Sequence, residues 1–206
     1  SEPQRAFSNN SVCYTNGLDT GSFIREWASL YESKSGERGI FNRQAAQRQA
    51  AKYGRRDADI DYGTNPCSEI ILRPKQFCNL SEVIVSSDDT LETLKYKVDK
   101  ATILGTIQSC FTNFKGLGRQ WVRNTEEERL LGVSLTGILD NEMLANKTGD
   151  DLPYVLEILR EHAVKVNANF AKRIGIEPSA GITCVKPSGT VSQLVDAASG
   201  IHPRHS

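Results

Sequence analysis

The sequence predicts an α/β fold with a largely parallel sheet. Short runs with strand character alternate with amphipathic segments of ten or more residues, a pattern typical of crossover units in which helices connect parallel strands. The 206 residues, 38% of them hydrophobic and 24% charged, have the composition of a globular protein. We therefore expect residues 1–206 to form one domain, and we expect that domain to be a piece of a longer chain.

The first two predicted helices lie in the N-terminal third. One follows residues 20–22, where a helix cap is expected, and the other covers residues 43–53, which are rich in Ala and Gln. Gly54 is placed to end the second helix. The apolar face of the first helix comprises Phe23, Trp27, Leu30 and Tyr31.

Two longer helices are predicted further along the chain. One begins after Thr90, a good N-cap residue, and the other after Asp151, with Pro153 in its first turn and Gly175 at its end. The predicted buried face of the first comprises Leu91, Leu94, Val98, Ala101, Leu104 and Phe111. That of the second comprises Leu156, Leu159, Ala163, Val166 and Phe170.

Three short segments between these helices have strand character: residues 69–72, 130–135 and 181–185. The second of them has an alternative. Thr125 followed by Glu128 matches a capping box, which would make residues 126–131 helical. The sequence leaves this boundary open.

The composition excludes several classes of protein. Twenty-five basic residues balance 25 acidic ones, so no net field attracts nucleic acid or anionic lipid. No apolar run reaches the ~20 residues of a membrane helix, and the first ten residues lack the features of a signal peptide. The five cysteines are widely spaced and odd in number, which argues against a disulfide framework, and the three histidines are too scattered for a zinc site. These features predict a cytoplasmic protein with no nucleic-acid, membrane or metal binding.

One polar constellation stands out. Asn65, Cys67 and Glu69 occupy alternate positions, so an extended backbone would point an amide, a thiol and a carboxylate to the same side. Pro74 allows a chain reversal that would bring Cys78 near Cys67. On spacing alone, a loop with two buried thiols and a polar anchor is an equally good interpretation.

A second constellation follows the predicted strand at residues 181–185. Small residues, hydroxyls and a glycine at this place can present backbone N–H groups to an anion, and a following helix would point its positive end there. A capped turn without a ligand is an equally good interpretation of the pattern. The segment comprises Pro187, Ser188, Gly189, Thr190, Val191 and Ser192.

These two segments resemble ribonucleotide reductases, especially the adenosylcobalamin-dependent class II enzymes of the single-chain triphosphate type. Asn-Pro-Cys-x-Glu, followed eleven residues after its cysteine by Cys-Asn-Leu, is similar to the finger loop of that family. The segment at 187–192 is similar to the loop that holds the substrate phosphates. Three further stretches are similar to family motifs: residues 128–137, 199–205 and 36–42, the last with Arg38 where the family has proline.

The resemblance implies a fold and a chemistry. The fold would be part of the ten-stranded α/β barrel of the reductases, with a central finger loop. Cys67 would form the thiyl radical that removes the 3′-hydrogen, and it would have to be shielded from water. Glu69 would take the proton of the 3′-hydroxyl, and Asn65 would hydrogen-bond the substrate hydroxyls. Cys78 would be half of the reducing dithiol, with its partner outside this chain.

The resemblance also implies a cofactor and partners. Adenosylcobalamin would be the radical source, and most of its binding site would lie outside this chain. The partners would be a ribonucleotide substrate, a thioredoxin-type or dithiol reductant and an allosteric deoxynucleotide. A class I large subunit with a metal-radical partner, and a non-catalytic piece of a split reductase, remain alternatives. We expect the other three cysteines, Cys13, Cys110 and Cys184, to be buried structural thiols.

Overall fold

The computed structural model describes residues 11–34, 39–145 and 152–204. The chain divides into two compact units, Ser1–Pro74 and Lys75–Ser206, and each unit is described by itself. The single domain over residues 1–206 therefore remains a prediction. Among the described residues, no helix combines the length and the hydropathy that crossing a membrane requires.

The described residues of the first unit form four short strands and two helices. The elements are β1 (Ser11–Tyr14), α1 (Thr20–Ser33), β2 (Gly39–Asn42), α2 (Arg43–Ala51), β3 (Gly63–Thr64) and β4 (Ile71–Leu72). Strands β1 and β2 are parallel, whereas β3 and β4 are antiparallel. Strand β4 lies within the segment predicted as a strand at residues 69–72, of which only the last two residues form it. Strands β1, β2 and β3 were not predicted, because two to four residues carry too little periodicity to read.

Both predicted helices of this unit are confirmed, with shifted ends. The N-cap of α1 is Asp19, whose carboxylate accepts the N–H of Ser22 at 2.9 Å. Helix α2 is capped by Asn42 and ends at Ala51, two residues before the predicted end. The predicted apolar face of α1 is not buried within this unit: Trp27 is 60% and Tyr31 81% exposed.

The part of the second unit that the structure describes forms two strands and three long helices. The elements are β5 (Asn79–Ile84), α3 (Leu91–Gln108), α4 (Arg119–Glu128), β6 (Leu131–Thr136), a 3₁₀ turn (Ile138–Asp140), α5 (Leu152–Ile174) and the single turn α6 (Val191–Leu194). Asp151, the predicted cap of α5, lies outside the described residues. Thr90 caps α3 with a capping box that it forms with Thr93, as its residue type predicts.

The sheet of the second unit is parallel, as the sequence predicts. Strands β5 and β6 pair over six residues, from Asn79 opposite Leu131 to Ile84 opposite Thr136. The segment predicted as a strand at 181–185 adds a parallel bridge between Thr183 and Val133 on the other side of β6. The alternation of strands and helices thus produces the expected α/β arrangement.

The open boundary between residues 126 and 131 is resolved by a sharp break. Helix α4 ends at Glu128, Arg129 adopts a left-handed conformation with φ of 43°, and β6 starts at Leu131. Thr125 is buried within the helix, and Gly118 is the N-cap. The capping-box interpretation is therefore wrong, although the residues it concerned are partly helical.

Helices α3 and α5 cover one face of this sheet and form its core. Buried members of the core are Val83, Val85, Leu94, Val98, Ala101, Leu131, Val133, Leu144, Val155, Leu159, Ala163 and Ile182. Leu159 and Ala163 of the predicted face of α5 are confirmed. Towards both ends of the helix the burial moves to a neighbouring residue, because the buried positions recur every four residues. These positions are Val155, Leu159, Ala163, Asn167 and Ala171.

Several predicted core positions are therefore exposed or only half buried. Leu156 is 40% exposed, while Val166 and Phe170 are partly exposed. In α3, Leu104 is 60% exposed, and Phe111, at 72%, lies beyond the end of the helix at Gln108. The predicted apolar face of α3 extends too far towards the C-terminus, because the helix ends at Gln108 while the apolar spacing in the sequence continues to Phe111.

Candidate active site

The Asn-Pro-Cys-Ser-Glu segment forms the loop of a β-hairpin in the first unit. Strands β3 and β4 pair antiparallel, with Thr64 opposite Ile71. The N–H of Asn65 donates to the carbonyl of Ile70 at 3.4 Å, and the N–H of Ile70 donates to Asn65 Oδ1 at 3.0 Å. The side chain of Asn65 thus closes the loop with its oxygen, and Nδ2 is the atom it can offer to a ligand.

The prediction of an extended backbone from Asn65 to Glu69 is wrong. The N–H of Ser68 donates to the carbonyl of Asn65 at 3.0 Å, so the chain turns at Pro66 and Cys67. Pro66 favours this turn because its fixed φ suits the second turn position and it has no N–H to lose. Ser68 then takes a positive φ of 63°. Strand alternation therefore does not align the three side chains.

Cys67 lies at the tip of the hairpin and is exposed in the first unit. The expected shielding of its sulfur is not provided by the residues of this unit, because a hairpin tip projects away from the strands that support it. Glu69 is half buried, and its Oε2 atom is buried. Asn65 is also half buried. The loop thus presents a thiol at its tip with an amide and a carboxylate on its flanks.

The base of the hairpin is anchored by Tyr62, which is fully buried against α2. Its hydroxyl donates to the carbonyl of Asp57 at 2.6 Å, and the guanidinium of Arg56 lies 4.7 Å from its ring centroid. From α2, Arg43 Nε donates to the carbonyl of Tyr62 at 3.0 Å. Because Tyr62 directly precedes β3, these contacts fix the direction in which the hairpin leaves the helix.

Cys78 lies in the second unit, where the residue just before it is held by aromatic packing. The ring of Phe77 stacks on that of Trp121 in α4, with 4.7 Å between ring centroids. The ring of Phe114 contacts Phe77 edge-on, with a centroid distance of 4.9 Å. Cys78 itself is partly buried.

Hydrogen bonds hold the chain on both sides of Cys78. Before it, Gln76 Nε2 donates to the buried Glu128 at 2.7 Å and to the carbonyl of Asn124 at 3.0 Å. After it, Asn79 Nδ2 donates to the carbonyl of Leu130 at 3.0 Å. Cys78 is therefore fixed at the start of β5 by the end of α4, an anchoring role for Gln76 that motif reading missed. A polar residue directly before an aromatic one was the only signal for it.

The segment predicted to bind phosphate follows the parallel bridge at Thr183. Ser188 and Ser192 are buried, whereas Pro187, Gly189, Thr190 and Val191 are exposed. Gly189 has a positive φ of 59°, which favours glycine. Helix α6 has only four residues, so the predicted contribution of a helix end is small. The exposed backbone around Gly189 and Thr190 is the part of the loop that an anion can reach.

Two polar contacts tie this loop to the sheet. The N–H of Lys186 donates to Ser134 Oγ, on β6, at 3.0 Å. Ser188 Oγ accepts the N–H of Ser192 at 3.0 Å and lies 3.5 Å from Glu82 Oε2, on β5. Sequence reasoning missed Glu82. Its position four residues after Cys78, on the same side of a strand by alternation, was the signal that could have indicated it.

The segment at 199–205 is held by ion pairs at the end of β6, with His205 outside the described residues. Arg204 Nε donates to Asp140 at 2.8 Å, and another guanidinium nitrogen donates to Asp196 at 2.7 Å. These hydrogen bonds from Arg204 keep the pKa of Asp140 below its usual value. Asp140 also accepts the N–H of Ala198 at 2.7 Å.

The remaining cysteines differ from expectation. Cys13 and Cys110 are exposed, and Cys184 is partly exposed, so the prediction that all three are buried is wrong. Cys13 lies on β1, an exposed strand of a two-stranded sheet, and Cys110 follows the C-terminus of α3, where the chain leaves the core. All five cysteines are free thiols.

The predicted site residues fall into both units. Asn65, Cys67 and Glu69 belong to the first unit, and Cys78 and the loop at 187–192 belong to the second. Within the first unit, the hairpin loop brings its three residues together. Their meeting with Cys78 and the phosphate loop at one ligand stays a prediction, as does the role of each residue.

The chain is similar to curated reductases over almost its whole length. It is 29% identical to the adenosylcobalamin-dependent ribonucleoside-triphosphate reductase of Lacticaseibacillus paracasei, and 29% identical to that of Levilactobacillus brevis. The resemblance indicated by the motifs is confirmed. A reductase of the same name from Euglena gracilis is 27% identical. Each match covers 95% of this chain but only 26–29% of the relative's length.

The fold supports the same conclusion. The chain superimposes on the crystal structure of a B12-dependent class II ribonucleotide reductase with a TM-score of 0.67 and 25% identity, covering 96% of this chain and 30% of that one. The architecture is thus consistent with part of the α/β barrel that the motifs implied. No protein-family model matches the chain.

Proposed function

We propose that this chain is part of the catalytic domain of an adenosylcobalamin-dependent ribonucleoside-triphosphate reductase. The observation that carries the proposal is the thiol at the tip of an anchored β-hairpin, in a chain that is similar to such reductases over 95% of its length. The reaction would replace the 2′-hydroxyl of a ribonucleotide by hydrogen, with triphosphates as the substrates named for the relatives.

The proposed chemistry solves a leaving-group problem. Hydroxide leaves an unactivated carbon poorly, but a radical at the neighbouring 3′-carbon makes its loss as water possible. A Cys67 thiyl would take the 3′-hydrogen, and Glu69 would accept the proton of the 3′-hydroxyl. Two electrons and two protons would come from a dithiol that contains Cys78 and becomes a disulfide. The 3′-hydrogen would return from Cys67, which regenerates the thiyl.

The geometry of the hairpin suits this division of roles. Asn65 uses its oxygen to close the loop, so its amide nitrogen is the donor for a substrate hydroxyl. Glu69 is partly buried, which suits a base that must be held in position. The proposal requires the Cys67 sulfur, exposed in the first unit, to be shielded in the complete enzyme, since a thiyl radical in water would meet other reductants and O₂.

The groove beside β5, a large cavity of the second unit, does not by itself fit adenosylcobalamin. This groove has a volume of about 590 Å³ and is lined largely by β5 and α3. Such a volume suits a drug-sized ligand, whereas a corrin ring with its nucleotide tail is much larger. Adenosylcobalamin is therefore part of the proposal through the relatives, and no step is derived through it.

The partners and location of the enzyme are also part of this proposal. They comprise a ribonucleotide substrate, a thioredoxin-type or dithiol reductant, and an allosteric deoxynucleotide. Five free thiols suit a reducing compartment, so we propose a cytoplasmic location.

The test is the substitution Cys67→Ser in the full-length protein, with the cofactor and a dithiol supplied. We expect the variant to lose deoxynucleotide formation to background while its affinity for the ribonucleotide changes by less than about twofold, because a serine hydroxyl keeps the shape but does not form a comparable radical. Cys13→Ser is the matched control, since Cys13 is another exposed thiol of the first unit. Normal product formation by Cys67→Ser would refute the radical assignment. Turnover that does not depend on added adenosylcobalamin, but that requires a second protein carrying a metal-radical centre, would favour a class I large subunit.

A further inference from the structure

Glu82 occupies a distinctive place in the second unit. Its register partner on β6 is Ser134, and both side chains contact the loop that leads to α6. The next residue, Val83, is buried in the core on the helix-covered face of the sheet. By alternation, Glu82 lies on the opposite face.

The contact between Glu82 and the loop is made by a buried hydroxyl. Ser188 is 5% exposed, and its Oγ accepts the N–H of Ser192. The hydroxyl hydrogen of Ser188 is then directed to Glu82 Oε2, 3.5 Å away. Ser188 is therefore used inside the structure, as a link from β5 to the loop, and the exposed neighbours Gly189 and Thr190 are left to meet an anion.

The carboxylate of Glu82 is incompletely compensated. Its Oε1 atom is buried and has no hydrogen-bond partner among the described residues. Burial raises the pKa of Glu82 above its usual value, although the hydrogen bond from Ser188 and the charge of Lys186 act against this shift. For a carboxyl group in this environment, ionisation to the carboxylate has a free-energy cost. A second negative charge nearby would increase that cost.

The other charged groups near Glu82 come from α3 and from the loop. Lys97 and Lys100 of α3 line the groove that also contains Glu82. Lys97 is paired with Asp89 at 2.6 Å. Lys186 is the cation on the loop side, and β6 places the uncharged Ser134 opposite Glu82.

We propose that Glu82 is a positioning residue of the phosphate loop, which holds Ser188 in place and couples the binding of a polyphosphate at Gly189 and Thr190 to the uptake of one proton by its own carboxylate. The proton comes from solvent and converts the carboxylate to the carboxylic acid, which removes the repulsion of the incoming anion. This inference rests on the proposed function, because it assumes that the loop receives substrate phosphates.

The test measures binding of inorganic tripolyphosphate and of a ribonucleoside triphosphate to the full-length protein by calorimetry, from about pH 5 to about pH 8. Glu82→Gln keeps an acceptor for Ser188 and removes the charge. We expect it to bind both ligands about fivefold more tightly than the wild type at the upper end of this range, and we expect this difference to shrink as the pH falls. Glu161→Gln, which removes an exposed charge from α5, is the matched control.

A second variant separates positioning from charge. Ser188→Ala breaks the link but leaves the Glu82 carboxylate, so it should weaken binding at every pH without removing the pH dependence.

Each other result has a defined meaning. If the wild type binds and Glu82→Gln matches Glu161→Gln at every pH, the inference is overturned while the proposed function stands. An effect on the nucleotide but not on tripolyphosphate would also overturn it, because Glu82 would then act on the sugar or base. If the wild type binds neither the nucleotide nor tripolyphosphate, the proposed function itself is refuted, and this inference with it.

Discussion

A buried amide, Asn167, holds together the elements that lead to the loop at 187–192, so its removal should lower the stability of the protein. Asn167 lies on α5 and is fully buried. Its Nδ2 donates to Thr106 Oγ1 of α3 at 2.9 Å and to Ser179 Oγ at 3.0 Å. Its Oδ1 accepts the N–H of Ser179 at 2.8 Å. The segment after Ser179 runs alongside β6 and then becomes the loop.

The expected cost of Asn167→Ala follows from the groups left behind. The Thr106 hydroxyl keeps its bond to the carbonyl of Thr102, at 2.7 Å, so it loses only an incoming donor. The N–H of Ser179, a residue 1% exposed, loses its acceptor. An unsatisfied buried N–H costs about 1–3 kcal/mol, and each of the other lost bonds about 1 kcal/mol or less. We therefore expect the free energy of unfolding to fall by about 3 kcal/mol.

The assay is urea unfolding followed by circular dichroism, which reports mainly on α3 and α5, the two longest helices. With an m-value of about 1–3 kcal/mol per molar, the midpoint should fall by about 1–3 M. Asn169→Ala is the matched control, because Asn169 is exposed on the same helix, and it should change stability by less than about 0.5 kcal/mol. Equal midpoints for the two variants would refute the reasoning.

Two further predictions concern the end of β6. Gly137→Ala should destabilise the protein by more than about 3 kcal/mol in the same unfolding assay, because Gly137 has φ of 79° and a Cβ there would lie 2.5 Å from the carbonyl oxygen of Val85. Gly116→Ala, with φ of 84° but no atom within 4 Å of its Cβ, should cost only about 1 kcal/mol, and equal losses would contradict the clash. Arg204→Gln should lower the unfolding midpoint at neutral pH. The pKa of Asp140 in the folded protein lies below its ordinary value of 3.8. The stability that its ion pair contributes is therefore fully present above pH 3.8, and it is lost as the pH falls through the folded-state pKa. The difference in unfolding midpoint between Arg204→Gln and wild type should therefore shrink below about pH 4. Arg123→Gln removes a weaker, exposed ion pair and should show little difference at any pH. A difference for Arg204→Gln that stays constant with pH would argue against the Asp140 pairing.

Much of the fold could be predicted from local patterns. The parallel α/β arrangement, the cap at Thr90 and four helices followed from spacing and residue type, since these depend on neighbours in sequence. The buried face of α5 was displaced because Asn167, a polar residue, is buried through its bonds to Thr106 and Ser179. Hydrophobicity alone assigns such a residue to the surface.

The candidate site shows the same division. Asn65, Cys67, Glu69, Cys78 and the loop at 187–192 are predicted site residues that rest on motifs of residue type and spacing, and their roles stay predictions. Their conformation was predicted wrongly at the hairpin, where Pro66 and the Asn65–Ser68 hydrogen bond produce a turn. Glu82 belongs to no motif, since its significance depends on a strand and a loop 106 residues apart.

The sequence by itself determined the class of fold, the helix periods and the family that the chain resembles, because each depends on short-range order that survives in one dimension. Only the tertiary structure decided that Cys67 lies at an exposed hairpin tip, that Ser188 is an internal link and that Glu82 faces the loop. These are properties of contacts between distant segments, and their free energies depend on burial and partners that no local pattern contains.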